Sequence, residues 1–488
     1  MKAWRKWRGI VAAGLAAALL AGCGAQDAGG VRLDPKDPVN ITIWHYYNGA
    51  QQTAFDELVD RFNSTEGAAR GIYVEAHSQG NVSDLETKVL DAFNKAVGSE
   101  EPPDIFSTYA DTAYAIEKMG RLVDLDQYMT AEEQGEYVTS FLEEGRLGAE
   151  GELCIFPTAK STEVLLVNKT EWDAFCADTG VTGDGLSTKE KLVDTARRYY
   201  EWTDAKTPDV PGDGKAFYGR DAMANLFIIG SMQLGEELFQ VENGQMTLNL
   251  DKDAMRRIWD FYYVPFVNGW FGAYGRFRSD DLKIGELAAF TGSSTSALYF
   301  PKAVETEAGS TPIDCLVVEE PGFEGGQRYA VQQGAGMVVT KSTAEREYAA
   351  VEFLKWFTQE ENNIAFSCTS AYLPVKKEAF SEEKLDEVMA QEGTEVSPVL
   401  RETLGVCFQM MEDTSLYTNK AFDNGTAARK VLEYNLSDRA AADREVAAAR
   451  LAEGWSQEEA VAEFVSDEAF DAWYGEFKAA LQAAVQQG

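Results

Sequence analysis

The 488-residue chain has few of the side chains on which most metal proteins and hydrolases depend. Its histidines are His45 and His77, so a histidine metal cluster or a serine–histidine–aspartate triad would have to use one of these two residues. The sequence also lacks the motifs GxSxG, GxGxxG and HExxH and a phosphate-binding P-loop. We therefore expect no metal site, no cofactor and no catalytic triad, and we interpret both histidines as hydrogen-bonded structural residues.

Cysteine is scarce, and its spacing does not suggest a disulfide framework. After Cys23 the chain has an odd number of cysteines and no CxxC motif; they are Cys154, Cys176, Cys315, Cys368 and Cys407. Disulfide frameworks are typical of short secreted domains rather than of chains of this length. At least one thiol therefore has no partner within the chain, and a single bridge among the others stays open.

Positive charge is also scarce, because 44 Lys and Arg face 80 Asp and Glu and leave a formal charge of −36. Nucleic-acid binding needs clustered cations, so a nucleic-acid partner is excluded, and broad adhesion to anionic lipid is disfavoured. The charge does not constrain a ligand that is held inside a cleft. With 45% hydrophobic residues the chain can bury a large core, and its length favours two or three domains or lobes.

The sequence has no apolar run long enough to span a membrane. Residues 9–20 are apolar, but a membrane-spanning helix needs roughly 20 such residues. This run follows a basic leader and ends in Leu-Ala-Gly-Cys, which resembles a bacterial lipobox. We predict a lipoprotein signal peptide over 1–23, a lipid on Cys23 that holds the protein at the outer face of the cell membrane, and a flexible tether over 24–37. The alternative is an ordinary signal peptide in which the cysteine is incidental.

Strands and helices alternate in the first part of the chain. The β-branched and aromatic segments 39–44, 72–78 and 102–110 are each followed by an amphipathic helical pattern, which predicts βαβ units and a parallel sheet. From about residue 152 the alternation changes, and the C-terminal third is mainly helical. Serine followed three residues later by glutamate predicts helix starts at Ser187 and Glu190, Ser342 and Glu345, and Ser456 and Glu459.

Six segments follow one another along the chain: ITIWHYYNG (41–49), PDIFSTYAD (103–111), KSTEVLLVNK (160–169), GELAAFTGSSTS (285–296), AVQQGAGMVV (330–339) and AYLPVKKEAF (371–380). In this order they resemble the solute-binding proteins of bacterial ABC importers for sugars and polyol phosphates. Residues 160–169, 269–277, 292–300 and 370–377 are most similar to the glycerol-3-phosphate-binding members. The sequence WHYYNG departs from those members, so the ligand stays open between a carbohydrate and a polyol phosphate.

The resemblance implies an α/β fold of the periplasmic-binding-protein-like type II class, with two lobes, a hinge and a ligand cleft between them. Lobe 1 is expected over 38–152 and 333–372, and lobe 2 over 153–332 and 373–488. The family implies a monomer that is not an enzyme, that closes around its ligand and that delivers it to the permease subunits of an importer.

The ends of the predicted strands supply the candidate ligand residues. Hydroxyls, amides and aromatic faces suit a polyol, while a guanidinium suits a phosphate. The candidates are Tyr46, Tyr47, Asn48, Tyr109, Asp111, Ser161, Thr162, Arg220, Trp270, Arg276, Ser293, Ser294, Gly334, Tyr372 and Arg429. The resemblance aligns Arg276 and Arg429 with basic positions of the glycerol-phosphate binders.

Each candidate also has a purely structural interpretation. Strand alternation allows only one of Tyr46 and Tyr47 to face a cleft, and serines at 293–294 can cap a helix. Gly334 can serve the backbone alone, Trp270 can lie in the core, and the arginines can be solvated. Two further functions stay open: a secreted glycoside-acting enzyme, and a surface adhesin that uses the same fold as a scaffold.

Overall fold

The structure is a computed structural model that describes residues 31–147, 151–210, 212–242, 245–307, 309–393 and 395–486. The predicted signal peptide, Cys23 and the first part of the predicted tether lie outside these residues.

The described residues form a mixed α/β structure. The strands are β1 (Val39–His45), β2 (Ile72–Ser78), β3 (Ile105–Thr108), β4 (Arg146–Leu147), β5 (Glu152–Leu153), β6 (Ile155–Phe156), β7 (Glu163–Asn168), β8 (Tyr218–Arg220), β9 (Phe239–Glu242), β10 (Gln245–Leu248), β11 (Ala289–Ser293), β12 (Ala303–Thr306), β13 (Gly309–Pro312), β14 (Cys315–Glu319), β15 (Tyr329–Val331), β16 (Gly336–Val339) and β17 (Ser415–Tyr417). The helices are α1 (Gly49–Ser64), α2 (Glu66–Arg70), α3 (Val82–Phe93), α4 (Ala110–Glu117), α5 (Ala131–Glu136), α6 (Thr139–Glu144), α7 (Lys169–Thr179), α8 (Lys189–Asp204), α9 (Met223–Gln233), α10 (Lys252–Val267), α11 (Arg278–Lys283), α12 (Ala344–Phe357), α13 (Glu360–Ser370), α14 (Glu382–Glu392), α15 (Pro398–Asp413), α16 (Gly425–Ala452), α17 (Gln457–Val461) and α18 (Asp467–Gln486).

The first lobe is built on a five-stranded sheet with the order β2-β1-β3-β16-β6. Strand β1 pairs in parallel with β2 and β3, which confirms the parallel sheet predicted from the alternating segments. Strand β16 returns from far along the chain and pairs antiparallel with β3 and β6. Helices α1, α12 and α13 pack around this sheet and bury apolar side chains such as Phe55, Phe353 and Phe357.

The second lobe is built on a four-stranded sheet with the order β14-β7-β11-β8. All six residues of β7 are buried, since this strand lies inside the sheet and is covered on both faces. Helices α9, α10, α16 and α18 pack against one another in this lobe, and Trp259, Trp473 and Phe477 lie at their contact. The helical tail that is prominent in the sequence therefore completes the core of the second lobe.

Three segments run side by side through the junction of the two sheets, and we call them the crossing segments. The first (157–162) connects β6 to β7, the second (332–335) connects β15 to β16, and the third (371–376) follows α13. Backbone bridges join Lys160 to Leu373 and Ser161 to Gln333, so the first crossing segment lies between the other two. The architecture confirms the predicted two-lobed α/β class.

The lobe boundaries at 152, 332 and 372 stay predictions. Strand β6, which begins after residue 152, belongs to the first sheet. After the third crossing segment, α14 packs against α13 of the first lobe, whereas α15 packs against β14 of the second lobe.

Two of the three predicted helix starts are shifted by one residue. The hydroxyl of Thr188 accepts the N–H of Lys191, and that of Thr343 accepts the N–H of Arg346, so these threonines are the N-caps rather than the preceding serines. Two adjacent hydroxyl residues offer the same local hydrogen bond, and the sequence does not distinguish them. The third start is confirmed, because Ser456 and Glu459 form a reciprocal capping box.

The five cysteines after Cys23 are all free thiols, so the possibility of a single disulfide bridge is closed. Burial raises the pKa of Cys154 and Cys407 to about 12, which keeps these thiols protonated and unreactive. Among the described residues there is also no helix whose length and apolarity would let it traverse a bilayer.

We predict that His45 makes the stability of the protein depend on pH. Its Nδ1 accepts the N–H of Tyr47 at 3.2 Å, and burial, with a contribution from His77, lowers its pKa to about 4 from 6.5. The unfolded chain therefore binds more protons between these two pH values, and the free energy of unfolding falls as the pH is lowered from 6.5 to 4. His45 accounts for about 3 kcal/mol of this fall in the free energy of unfolding.

Urea unfolding at several pH values measures this effect. We expect His45→Asn, whose amide can still accept the Tyr47 N–H, to flatten the pH dependence. Changing the exposed His77 to Asn removes only the smaller cause of the lowered pKa of His45 and should alter the pH dependence much less. Equal pH slopes for the wild type and His45→Asn would contradict the assignment.

Candidate functional site

Three tyrosine hydroxyls from three separate segments meet beside the crossing segments. Tyr46 follows β1, Tyr109 precedes α4 at the end of β3, and Tyr372 lies in the third crossing segment. The hydroxyls of Tyr46 and Tyr372 are 3.2 Å apart, and Tyr46 also hydrogen-bonds the Tyr109 hydroxyl and the backbone of Ala335. Burial raises the pKa of all three tyrosines, so their hydroxyls are neutral donors and acceptors.

Tyr47 and Asn48, the next two residues of the chain, make different contacts from Tyr46. Tyr47 is 1% exposed, and its ring packs against those of His45, Phe55 and Phe366. Tyr47 nevertheless contacts the crossing segments, because its ring centre lies 6.1 Å from that of Tyr372 and its hydroxyl interacts with the Thr158 side chain. Its role as a ligand residue stays a prediction. Asn48 is exposed at the N-cap position of α1, where its side chain makes no capping hydrogen bond.

The two lobes contact each other where α4 approaches the start of α16. A Cβ atom added to Gly425 would lie 2.7 Å from Oδ1 of Asp111, so this carboxylate lies directly against the helix start. Lys118 and Asp423 form an ion pair of 2.7 Å across the same contact. Burial raises the pKa of Asp111, and the positive charge of Arg429 on α16 offsets part of that rise. The fold therefore brings two of the predicted residues, Asp111 and Arg429, close enough to interact electrostatically.

Arg429 is tied to the crossing segments through amide side chains. Its Nη2 donates to Oδ1 of Asn225 at 2.6 Å. The Asn225 Nδ2 donates to Glu163 at 2.7 Å and to Gln333, in the second crossing segment, at 3.4 Å. Sequence reasoning missed Asn225, whereas Gln333 lies inside a segment that carries the family resemblance.

Arg220 is held by carboxylates of its own lobe. Its guanidinium lies 2.8 Å from Glu163 and 3.2 Å from Glu320, and Lys189 lies 2.9 Å from Glu320, all of them buried. Burial and the charge of Glu320 raise the pKa of Glu163 to about 7, against the opposing effect of Arg220. The cavity beside this cluster is about 10 Å³, the room of roughly one water molecule. The charge of Arg220 is therefore compensated within the protein, and its role as a ligand residue stays a prediction.

The predicted serines and glycine act mainly within the junction itself. Ser294 is fully buried; its hydroxyl donates to the carbonyl of Ala371 at 2.9 Å, and its N–H donates to Thr162 at 2.8 Å. Ser293 accepts the Thr295 hydroxyl at 3.0 Å and the Thr295 N–H at 3.4 Å, as a capping residue does. These contacts favour the structural interpretation of both serines, and a ligand role for them stays a prediction.

Gly334 and the neighbouring part of the first crossing segment are also largely structural. Gly334 has φ +92°, and a Cβ there would come within 2.9 Å of the Ala159 carbonyl oxygen, so only glycine fits without strain. Ser161 pairs through its backbone with Gln333. The Thr162 hydroxyl is buried and has no hydrogen-bond partner among the described residues.

The remaining predicted residues lie farther from the three tyrosine hydroxyls. Trp270 packs on the core of the second lobe, and its carbonyl accepts the N–H of Phe217, which favours its structural interpretation. Arg276 is exposed, and its guanidinium lies 5.1 Å from the centre of the Phe277 ring. Tyr299, which the sequence analysis did not single out, is 60% exposed and close enough to Tyr372 to raise its pKa further.

Comparison with known proteins identifies the family. A profile of bacterial extracellular solute-binding proteins matches residues 57–391, which is more than half of the chain. The chain belongs to that family. No curated protein sequence matches it significantly.

Solved structures of binding proteins share the fold of this solute-binding protein at low sequence identity. The cyclic alpha-maltosyl-1,6-maltose binding protein from Arthrobacter globiformis has a TM-score of 0.64 and 18% identity, covering 92% of this chain and 100% of that one. UgpB from Mycobacterium tuberculosis, in complex with glycerophosphocholine, has a TM-score of 0.62 and 18% identity, covering 92% of this chain and 99% of that one. The GacH receptor of Streptomyces glaucescens GLA.O, solved unliganded and with acarbose, has a TM-score of 0.62 and 16% identity, covering 91% of this chain and 98% of that one.

A buried ion pair fixes the crossing segments of the solute-binding protein. Nζ of Lys160 lies 2.7 Å from Glu144 on α6 and donates to the Gly334 carbonyl at 2.9 Å. Gln332 of the second crossing segment donates to the same carboxylate. One carboxylate of the first lobe thus holds two crossing segments, and the side chains of Lys160 and Glu144 are only 1% and 6% exposed.

We predict that Lys160→Met destabilises the protein by about 3–5 kcal/mol, because it leaves the Glu144 carboxylate buried without its cation. Urea unfolding measures the change. Adding Glu144→Gln should recover part of the loss, whereas Lys252→Met, which breaks an exposed pair with Asp471, should cost less than about 1 kcal/mol. Similar losses for Lys160→Met and Lys252→Met would contradict the assigned role.

Proposed function

We propose that this protein is the extracellular receptor of an ABC importer, which captures a carbohydrate or polyol between its lobes by hinge closure and delivers it to the permease. The observation that carries the proposal is the meeting of the Tyr46, Tyr109 and Tyr372 hydroxyls at the crossing segments. Hydroxyl groups of a polyol need short neutral donors and acceptors, and the tyrosine rings offer apolar faces for its carbons. Asn225 and Gln333 add amides at the same junction.

A neutral ligand is the better supported of the two classes. Arg220 is paired with two carboxylates, and Asp111 adds a further carboxyl group beside Arg429. A ligand phosphate would face these negative charges, whereas a sugar hydroxyl can donate to a carboxylate. The structural neighbours include binding proteins for cyclic alpha-maltosyl-1,6-maltose and acarbose.

The sequence and the family together support a location at the outer face of the membrane. We propose that Cys23 is lipidated and that the chain from residue 24 serves as a tether, so the lobes stay beside the permease at the outer face of the membrane. The proposed lobes are those predicted from the sequence, and the proposed assembly is a monomer.

A thermal-shift screen of the purified protein tests the proposed function. The probes are maltose, maltotriose, acarbose and ribitol as neutral compounds, and glycerol 3-phosphate and glycerophosphocholine as phosphorylated ones. We expect a saturable rise in Tm with a neutral compound, since a ligand that binds only the folded state stabilises it by mass action. Conversion of a glycoside to products by the purified protein would contradict a binding function and favour a glycoside-acting enzyme.

Tyr372→Phe tests the site with the compound found in that screen. Loss of one hydroxyl that binds the ligand should weaken the affinity roughly tenfold, as measured by calorimetry. Tyr73→Phe is the matched control, because Tyr73 is 43% exposed on β2, far from the junction in sheet order. Equal affinities for Tyr372→Phe and the wild type would place the ligand elsewhere.

A phosphorylated polyol is a second candidate, and Arg429 is the observation that favours it. Among the described residues no carboxylate lies within ion-pair distance of its guanidinium, and its charge reaches both Tyr109 and Asp111. If the ligand is phosphorylated, Arg429→Met should lower the affinity for it by about a hundredfold and should lower the affinity for a neutral sugar much less. The exposed Arg276→Met serves as control, and equal effects of Arg429→Met on both ligand classes would contradict this candidate.

A further inference from the structure

A carboxylate of the protein occupies the N-terminus of helix α9. The N–H groups of Met223 and Ala224, the first two residues of α9, donate to Oε1 and Oε2 of Glu433 at 3.2 and 2.9 Å. The residue before the helix, Ala222, has φ +49° and offers no side-chain cap. Glu433 lies on α16, far away in the sequence, and binds these amides with both oxygens in the way that a bound anion would.

This helix end lies beside the proposed ligand site. Asn225, in the first turn of α9, contacts Glu163, Gln333 of the second crossing segment and Arg429. Arg429 in turn acts on Tyr109 and Asp111 of the first lobe. The amides of Met223 and Ala224 are thus one helical turn or less from the residues that join the two lobes.

Arg429 and Glu433 are four residues apart on α16 and therefore lie on the same face of that helix. Both contact the first turn of α9, Arg429 through the Asn225 side chain and Glu433 through the backbone amides. A helix N-terminus next to a guanidinium attracts anions. The carboxylate of Glu433 satisfies that attraction within the protein.

We propose that Glu433 is a specificity-determining residue that excludes phosphorylated ligands and thereby selects neutral ones. Its carboxylate takes the place of a ligand phosphate at the amides of α9, and its negative charge repels a second anion near Arg429. The inference rests on the proposed location of the ligand between the lobes. It deepens that proposal, because it names the residue that decides between the neutral and the phosphorylated class.

Removal of the carboxylate tests the inference without knowledge of the natural ligand. The experiment titrates the purified protein with inorganic phosphate, with sodium chloride at equal ionic strength as reference, and follows Tm. Glu433→Ala should acquire a saturable, phosphate-dependent rise in Tm, with an apparent affinity at least about tenfold above that of the wild type. Glycerol 3-phosphate should act in the same direction.

Two further variants separate selectivity from simple helix capping. Glu433→Ala combined with Arg429→Met should lose the acquired phosphate response. Glu402→Ala removes a carboxylate that accepts the N–H of Val317 away from any helix start, and it should respond to phosphate as the wild type does.

If Glu433 is only a helix cap, Glu433→Ala will lower Tm in every salt and show no preference for phosphate, and this result would overturn the inference. Should Glu433→Ala not fold, Glu433→Gln keeps one acceptor oxygen for the amides and removes the charge, and the same comparison applies. The phosphate titration does not involve a sugar, so its failure is distinguishable from a failure to find a neutral ligand.

Discussion

The structure depends on the hydrogen bonding of three crossing segments that lie side by side between the sheets. Main-chain bonds link Lys160 to Leu373 and Ser161 to Gln333 in both directions, so a change in one segment is passed to the other two. The buried contact of Lys160 with Glu144 and the Gly334 carbonyl fixes them to the first lobe. Because Tyr372 and Gln333 of the proposed ligand site stand on these same segments, the proposed site and the proposed hinge share one set of backbone hydrogen bonds.

Charge is handled differently on the two sides of the junction. The first lobe presents neutral hydroxyls, since burial keeps Tyr46, Tyr109 and Tyr372 protonated. The second lobe contains two cations and two carboxylates that compensate one another beneath the surface. An arrangement of this kind stabilises the ions that are present but leaves little attraction for another charge. The large negative charge of the whole chain therefore says little about the site, which is close to neutral in its own surroundings.

The sequence predicted the parts that depend on local pattern and missed those that depend on distant partners. The alternating segments predict the parallel strands, and the ends of β1 and β3 supply Tyr46 and Tyr109 because strand ends meet at one edge of a sheet. Tyr372 came from the resemblance. The pairing of Arg220 with Glu163 and Glu320, and the contact of Ser294 with Ala371, join residues that no local pattern connects, so their roles could not be read from the sequence. In the sequence Glu433 is one of many glutamates in amphipathic helices, and only its contact with the backbone of α9 distinguishes it.

The place of α16 in the chain has a consequence for biosynthesis. This helix brings Arg429 and Glu433 to a junction whose three crossing segments lie between residues 157 and 376. Every strand of the two main sheets precedes α16 in the sequence, so a nascent chain contains those strands before it contains this helix. A chain that stopped before α16 would contain all the strands of both sheets but would lack the two side chains, Arg429 and Glu433, that contact the first turn of α9.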